Sequence, residues 1–139
     1  MSYSFQNPSA EVIESYLKSA KTIAIVGLSH RKEAASYQVA HFLQAAGYRI
    51  IPVNPKLEGQ ELLGEHVYAY IKDIPFSVDI VDVFRRSEYL PDVAYDFLET
   101  KDRIFWSQIG LENEEAETIL RQSNRQDIVM NRCTKREYM

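Results

Sequence analysis

The residues of this 139-residue chain with the clearest capacity for chemistry are cations at the ends of apolar runs. Apolar segments close near Val26, Val53, Phe84, Trp106 and Met130. The stretches at their ends are Gly27 to Ala35, Asn54 to Leu57, Phe84 to Arg86, Ser107 to Gly110 and Asn131 to Arg136. They hold Arg31, Lys32, Lys56, Arg85, Arg86, Arg132, Lys135 and Arg136, half of the 16 Lys and Arg residues, whereas of the 20 acidic residues only Glu33 falls there. Parallel strands would bring these stretches to one rim, where open α/β sheets bind ligands. A chain of formal net charge −4 that gathers half its cations on one rim is suited to a polyanion.

The first of these loops reads Gly27-Leu28-Ser29-His30-Arg31-Lys32. A dinucleotide fingerprint needs Gly at the third and sixth places, which Ser29 and Lys32 occupy. The loop is long before Ser36, which is expected to cap a helix, so it has room for a bulkier phosphate group held by the Ser29 hydroxyl and the helix N-terminus. The second loop, Val53-Asn54-Pro55-Lys56, places a cation where NAD folds carry an acid for the ribose. It therefore suits a phosphorylated ribose, the 3′-phosphate of coenzyme A or the 2′-phosphate of NADP, and charge alone does not choose between them. Arg85 and Arg86 offer planar forks for a diphosphate, with Phe84 placed to lie under an adenine. Trp106 to Gly110 is compatible with a pantetheine slot, although Trp106 reads more simply as core. Cys133, beside Arg132 and Lys135, has neighbours that favour a thiolate able to form a mixed disulfide.

No catalytic constellation is legible. His30, His41 and His66 lack metal spacing, and no carboxylate pair or Ser-His-Asp set can be assembled. A single cysteine precludes an internal disulfide and a CxxC pair, which points to a reducing, cytoplasmic setting. The acidic balance argues against a nucleic-acid partner, and neither a signal peptide nor a membrane span is expected.

These loops need elements to position them. With 45% hydrophobic and 26% charged residues, one folded domain over 1–139 is expected. The pattern predicts a packing helix from Pro8 to Ala20 with Val12, Ile13, Tyr16 and Leu17 inward. Strands are predicted at Thr22 to Val26, Tyr48 to Val53, Val78 to Phe84, Ile104 to Trp106 and Asp127 to Met130. Helices follow from Ser36, from a Ser87 cap and from Glu112 to Gln122. Lys56 to Pro75 has no clear period, and 131–139 reads as a C-terminal tail. Such alternation predicts an α/β fold with a mainly parallel five-stranded sheet and helices on both faces.

Several blocks together, GLS from Gly27, SYQVAHFL from Ser36, GYRIIPVNPK from Gly47, VDVFRRSE from Val81 and NRCTK from Asn131, resemble the stand-alone CoA-binding domain family. These are relatives of the N-terminal domain of the succinyl-CoA synthetase alpha subunit. The resemblance implies a Rossmann-like three-layer sandwich with strand order 3-2-1-4-5 and coenzyme A or an acyl-CoA as ligand. It implies that Gly27, Leu28 and Ser29 face the phosphates or adenine end, that Val53, Asn54, Pro55 and Lys56 face the nucleotide, and that Phe84, Arg85 and Arg86 face the diphosphate. Cys133 would lie near the pantetheine thiol. Relatives often carry a basic residue and Pro where this chain has Ala34 and Ala35; Arg31 or Lys32 could substitute.

The expected function is a non-catalytic binding or sensor module, with a homodimer or partner protein compatible with it. The alternatives are an NADP-linked or thiol-disulfide enzyme using Cys133, and a degenerate Rossmann domain that serves protein contacts.

Overall fold

A computed structural model describes residues 3–139. The strands are β1 (Thr22–Val26), β2 (Arg49–Val53), β3 (Glu61–Leu62), β4 (Glu65–His66), β5 (Ile80–Val83), β6 (Ile104–Ser107) and β7 (Ile128–Val129). The helices are α1 (Ala10–Ser19), α2 (Ala35–Ala45), α3 (Leu90–Leu98), α4 (Glu114–Gln122) and α5 (Thr134–Tyr138). Five strands form one parallel sheet in the order β2-β1-β5-β6-β7, while β3 and β4 make a small antiparallel pair. The stretch without a period thus holds this hairpin between two 3₁₀ turns, Pro55–Leu57 and Ile71–Asp73.

Alternation along the strands divides the interior into two cores. Ala24, Val26, Val81, Val83 and Phe105 face α3 and α4, packing with Val93, Phe97 and Leu120. Ile23, Ile25, Ile80 and Trp106 face α1 and α2, packing with Leu17, Ala40 and Leu43. A strand buried on both faces must be apolar at every position, which explains the unbroken TIAIV run.

The parallel sheet with helices on both faces is as expected, but its strand order is not. Numbered among themselves, the five strands run 2-1-3-4-5, so β2 is an edge rather than the second strand in from one. Pro52 supplies the reason. It belongs to the set of β2 residues that point their backbone groups away from β1, and a proline there has no N–H to give an outer neighbour. What lies outside β2 is a single parallel bridge, Val53 to Tyr68, in which Asn54 N donates to Tyr68 O (2.8 Å) and Tyr68 N donates to Pro52 O (3.1 Å). At the other edge the Asn7 side chain takes a strand's place: its Nδ2 donates to Met130 O (2.8 Å) and its Oδ1 accepts from Met130 N (3.1 Å).

Three helix starts also differ. In α1 the cap is Ser9, whose Oγ accepts from Val12 N, and Val12 is 37% exposed rather than inward. α2 begins after Ala34 with no side-chain cap. Ser36 lies inside its first turn, buried, where its Oγ accepts from Ser29 N (3.0 Å). Ser87 opens a 3₁₀ turn (Ser87–Tyr89) instead of capping α3, and its Oγ accepts from Glu112 N (3.2 Å). Finally, the expected C-terminal tail contains α5, which returns over the α2 face: Tyr138 stacks edge-on against Phe42 and Tyr48. Among the described residues no helix is long and apolar enough to cross a membrane.

Candidate functional site

The chain crosses from β1 to β2 on one side and then passes back to β5 on the other side of β1, so a crevice opens beyond their carboxyl ends. Its floor is rigid. Gly27 N donates to Val53 O (2.8 Å) and Phe84 N donates to Val26 O (2.8 Å), stitching β1 to both neighbours. Gly27 has φ +87°, and a Cβ built there would lie 2.6 Å from the Phe84 carbonyl oxygen. Only glycine fits this turn, and its bare backbone lets a ligand come close.

The resulting cleft has a volume of about 520 Å³. Val26, Gly27, Val53, Asn54, Pro55 and Lys56 form one side. Ala69, Tyr70, Arg85, Tyr89, Asp92, Val93 and Asp96 form the rest. Of the eight rim cations, Lys56 and Arg85 line it. The Arg85 guanidinium lies 4.5 Å from the Tyr89 ring centroid, a cation–π contact that holds it in place. A larger hollow of about 1110 Å³ lies at the opposite end of the sheet, between α1, the start of β2 and α5. There Lys18 is paired to Glu14 (2.7 Å) and Arg49 to Glu65 (2.8 Å), so its cations are largely spent within the protein.

The remaining expected residues are placed as follows. The Leu28 side chain is fully buried, leaving only its backbone near the site, where its carbonyl accepts from Asn54 Nδ2 (3.1 Å). Asn54 Oδ1 accepts from Lys56 N (2.9 Å), so its amide ties the first loop to the second. Ser29 Oγ accepts from Arg31 N (3.0 Å) and keeps its hydroxyl hydrogen for another acceptor. Arg31 and Lys32 are exposed on the same loop, short of the cleft lining. Arg86 points to solvent with Glu88 at 3.9 Å. Phe84 packs against the α2-side core, so it does not form the cleft's aromatic wall. Trp106 is fully buried with its Nε1 donating to Arg132 O (2.8 Å), a core residue and not a slot. Cys133 precedes α5 on the α2 side, away from the cleft lining.

Sequence reasoning missed four residues here. Tyr70 (49% exposed) and Tyr89 (39% exposed) are the cleft's aromatic groups. Asp96 accepts from Ile71 N (3.1 Å) and Lys72 N (3.3 Å); burial raises its carboxyl and these amides pull it back. Asp82, in mid β5, is completely buried. Its Oδ1 accepts from Gln108 Nε2 (2.6 Å) and its Oδ2 from the Thr134 hydroxyl (2.8 Å). Burial pushes this carboxyl up to about 7 against the pull of those two bonds. An acid inside VDIVDVF, at a position buried on both faces, was the signal for it.

Over residues 21–139 the chain matches the model of a family described as a CoA binding domain. It is 48% identical over 130 residues to the uncharacterized protein YneT of Bacillus subtilis (strain 168), covering 94% of each chain. Its structure is similar to that of cell-free ID.343 from Thermus thermophilus, with TM-score 0.89 and 34% identity over 94% of this chain and 97% of that one. It is also similar to a hypothetical protein from Pyrococcus horikoshii OT3, with TM-score 0.88 and 30% identity over 99% of this chain and 96% of the other.

Proposed function

This chain belongs to the CoA binding domain family, and we propose that it binds coenzyme A or an acyl-CoA in the cleft beyond β1, β2 and β5, as a binding or sensor module rather than a catalyst. The observation that carries this reading is the combination of a glycine-only backbone approach at Gly27 with the cations Lys56 and Arg85 lining the same cleft. Lys56 takes the 3′-phosphate. Arg85 takes the diphosphate together with the Ser29 hydroxyl and the uncapped start of α2, where free N–H groups favour anions. Arg31 and Lys32 supply further charge from the first loop. Tyr70 and Tyr89 take the adenine, the role Phe84 cannot fill from the other face. The pantetheine arm runs along the strand ends toward Cys133, whose neighbour Thr134 bonds to Asp82 in β5.

The cleft volume lies within the range of small-molecule sites, and the extended arm of coenzyme A would leave it along the surface.

Isothermal titration with CoA, acetyl-CoA, NADP and NAD under reducing conditions tests the ligand, with binding of the CoA species and little of NAD as the expected result. Lys56→Ala tests the pose: it should weaken CoA roughly tenfold, the worth of one charge-assisted contact, and leave dephospho-CoA unchanged. Equal losses for both ligands would remove Lys56 from the 3′-phosphate.

A further inference from the structure

One wall of the cleft is not carried by a strand or helix of its own. Ala69 and Tyr70 lie between the Tyr68 bridge and the 3₁₀ turn Ile71–Asp73. On the sheet side this segment is held by the two backbone bonds of Tyr68. On the helix side its backbone is held by Asp96 of α3, whose two carboxylate oxygens accept from the successive amides of Ile71 (3.1 Å) and Lys72 (3.3 Å), beside the Lys72–Glu99 ion pair (3.5 Å) and the buried Ile71 side chain. Tyr70 itself is tethered through its backbone, its N–H donating to Asp73 Oδ2 (3.2 Å) and its carbonyl accepting from Asp73 N (3.0 Å), while its ring meets the Lys72 ammonium at 5.6 Å.

We propose that Asp96 is a positioning residue for nucleotide recognition, acting through Tyr70. A carboxylate that accepts two consecutive amides fixes the plane of the peptide between them, and so the direction in which the chain enters from Tyr70. The half-exposed ring then stands at the cleft before ligand arrives, and less ordering remains to be done on binding. The proposal rests on the cleft being the coenzyme A site.

A double-mutant cycle read by CoA titration tests it. D96A should weaken CoA roughly three- to tenfold, as the loss of a charged hydrogen-bond acceptor does. Y70A should weaken it by a similar factor, and the double variant should bind no worse than Y70A alone, because Asp96 has nothing left to position. D96N, which keeps one acceptor oxygen, should recover part of the loss and show faster amide exchange at Ile71 and Lys72. Should D96A fail to fold, D96N with Y70A completes the same cycle. Losses that multiply in the double variant, or wild-type affinity in the Asp96 variants, overturn the positioning role while leaving the site intact. Wild-type protein that binds no CoA overturns both.

Discussion

At Gly27 the demands of the fold and of the proposed ligand coincide. A side chain there would have to accept φ +87° and push away the Phe84 carbonyl at 2.6 Å, which belongs to the backbone and cannot rotate aside. Gly27→Ala should therefore cost about 2–4 kcal/mol, measurable as a lower denaturant midpoint with an unchanged slope. Gly47→Ala offers the comparison, since its φ is +110° but nothing lies within 4 Å of the added Cβ, so only the strain remains. Gly27, Lys56 and Arg85 were legible in the sequence because a loop that leaves a buried strand has few places to go, and a cation on it reaches the rim. Tyr70 was not, because a tyrosine in a stretch without period looks the same whether it faces core or cleft, and Tyr89 was not, because it falls in the first turn of the helix expected from Ser87, where a side chain need face nothing. Ser36 and Ser87 misled for one reason: each lies where a cap is expected, and each gives its oxygen instead to an amide outside its own helical turn, Ser29 N in the preceding loop and Glu112 N before α4. Cap preference is a local rule, and here tertiary partners outcompeted it.

Among the elements, β5 is where composition and environment conflict most. A buried acid inside it favours the protonated form, so the folded chain holds that proton more tightly than the unfolded one. The sign follows directly. The contribution of Asp82 to stability is fully present below its ordinary value of 3.8 and is lost as pH rises through about 7. The stability of wild type relative to Asp82→Asn should accordingly fall, on the order of 2 kcal/mol, from about pH 5 to about pH 8. Thermal denaturation of both proteins at the two pH values reads this difference, and parallel pH profiles would mean that Asp82 does not titrate in this range. The same network explains why the last residues are not a loose tail. Thr134, at the start of α5, is fully buried and donates to Asp82, a contact between residues far apart in sequence that no periodicity reveals. Strand positions were readable from apolar runs, because burial on both faces leaves a continuous signature. Strand order was not read correctly, although Pro52 within IIPV carried the information that β2 has no full outer partner.

Over the whole molecule, two cores separated by one sheet account for why the layering of helices on both faces of a sheet was legible from alternation alone. The ends of that sheet were beyond such reading, since they are closed by parts that are not strands. Tyr68 occupies the last outward-facing groups of β2, and Asn7 satisfies both backbone groups of Met130 beyond β7. Asn7→Ala should leave those groups unpaired, and at elevated temperature it should raise light scattering and thioflavin fluorescence well before the wild type does. The consequence is colloidal. A five-stranded sheet whose borders are covered, among the described residues, by a proline, a one-residue bridge and an amide offers little template for another chain to extend strand to strand.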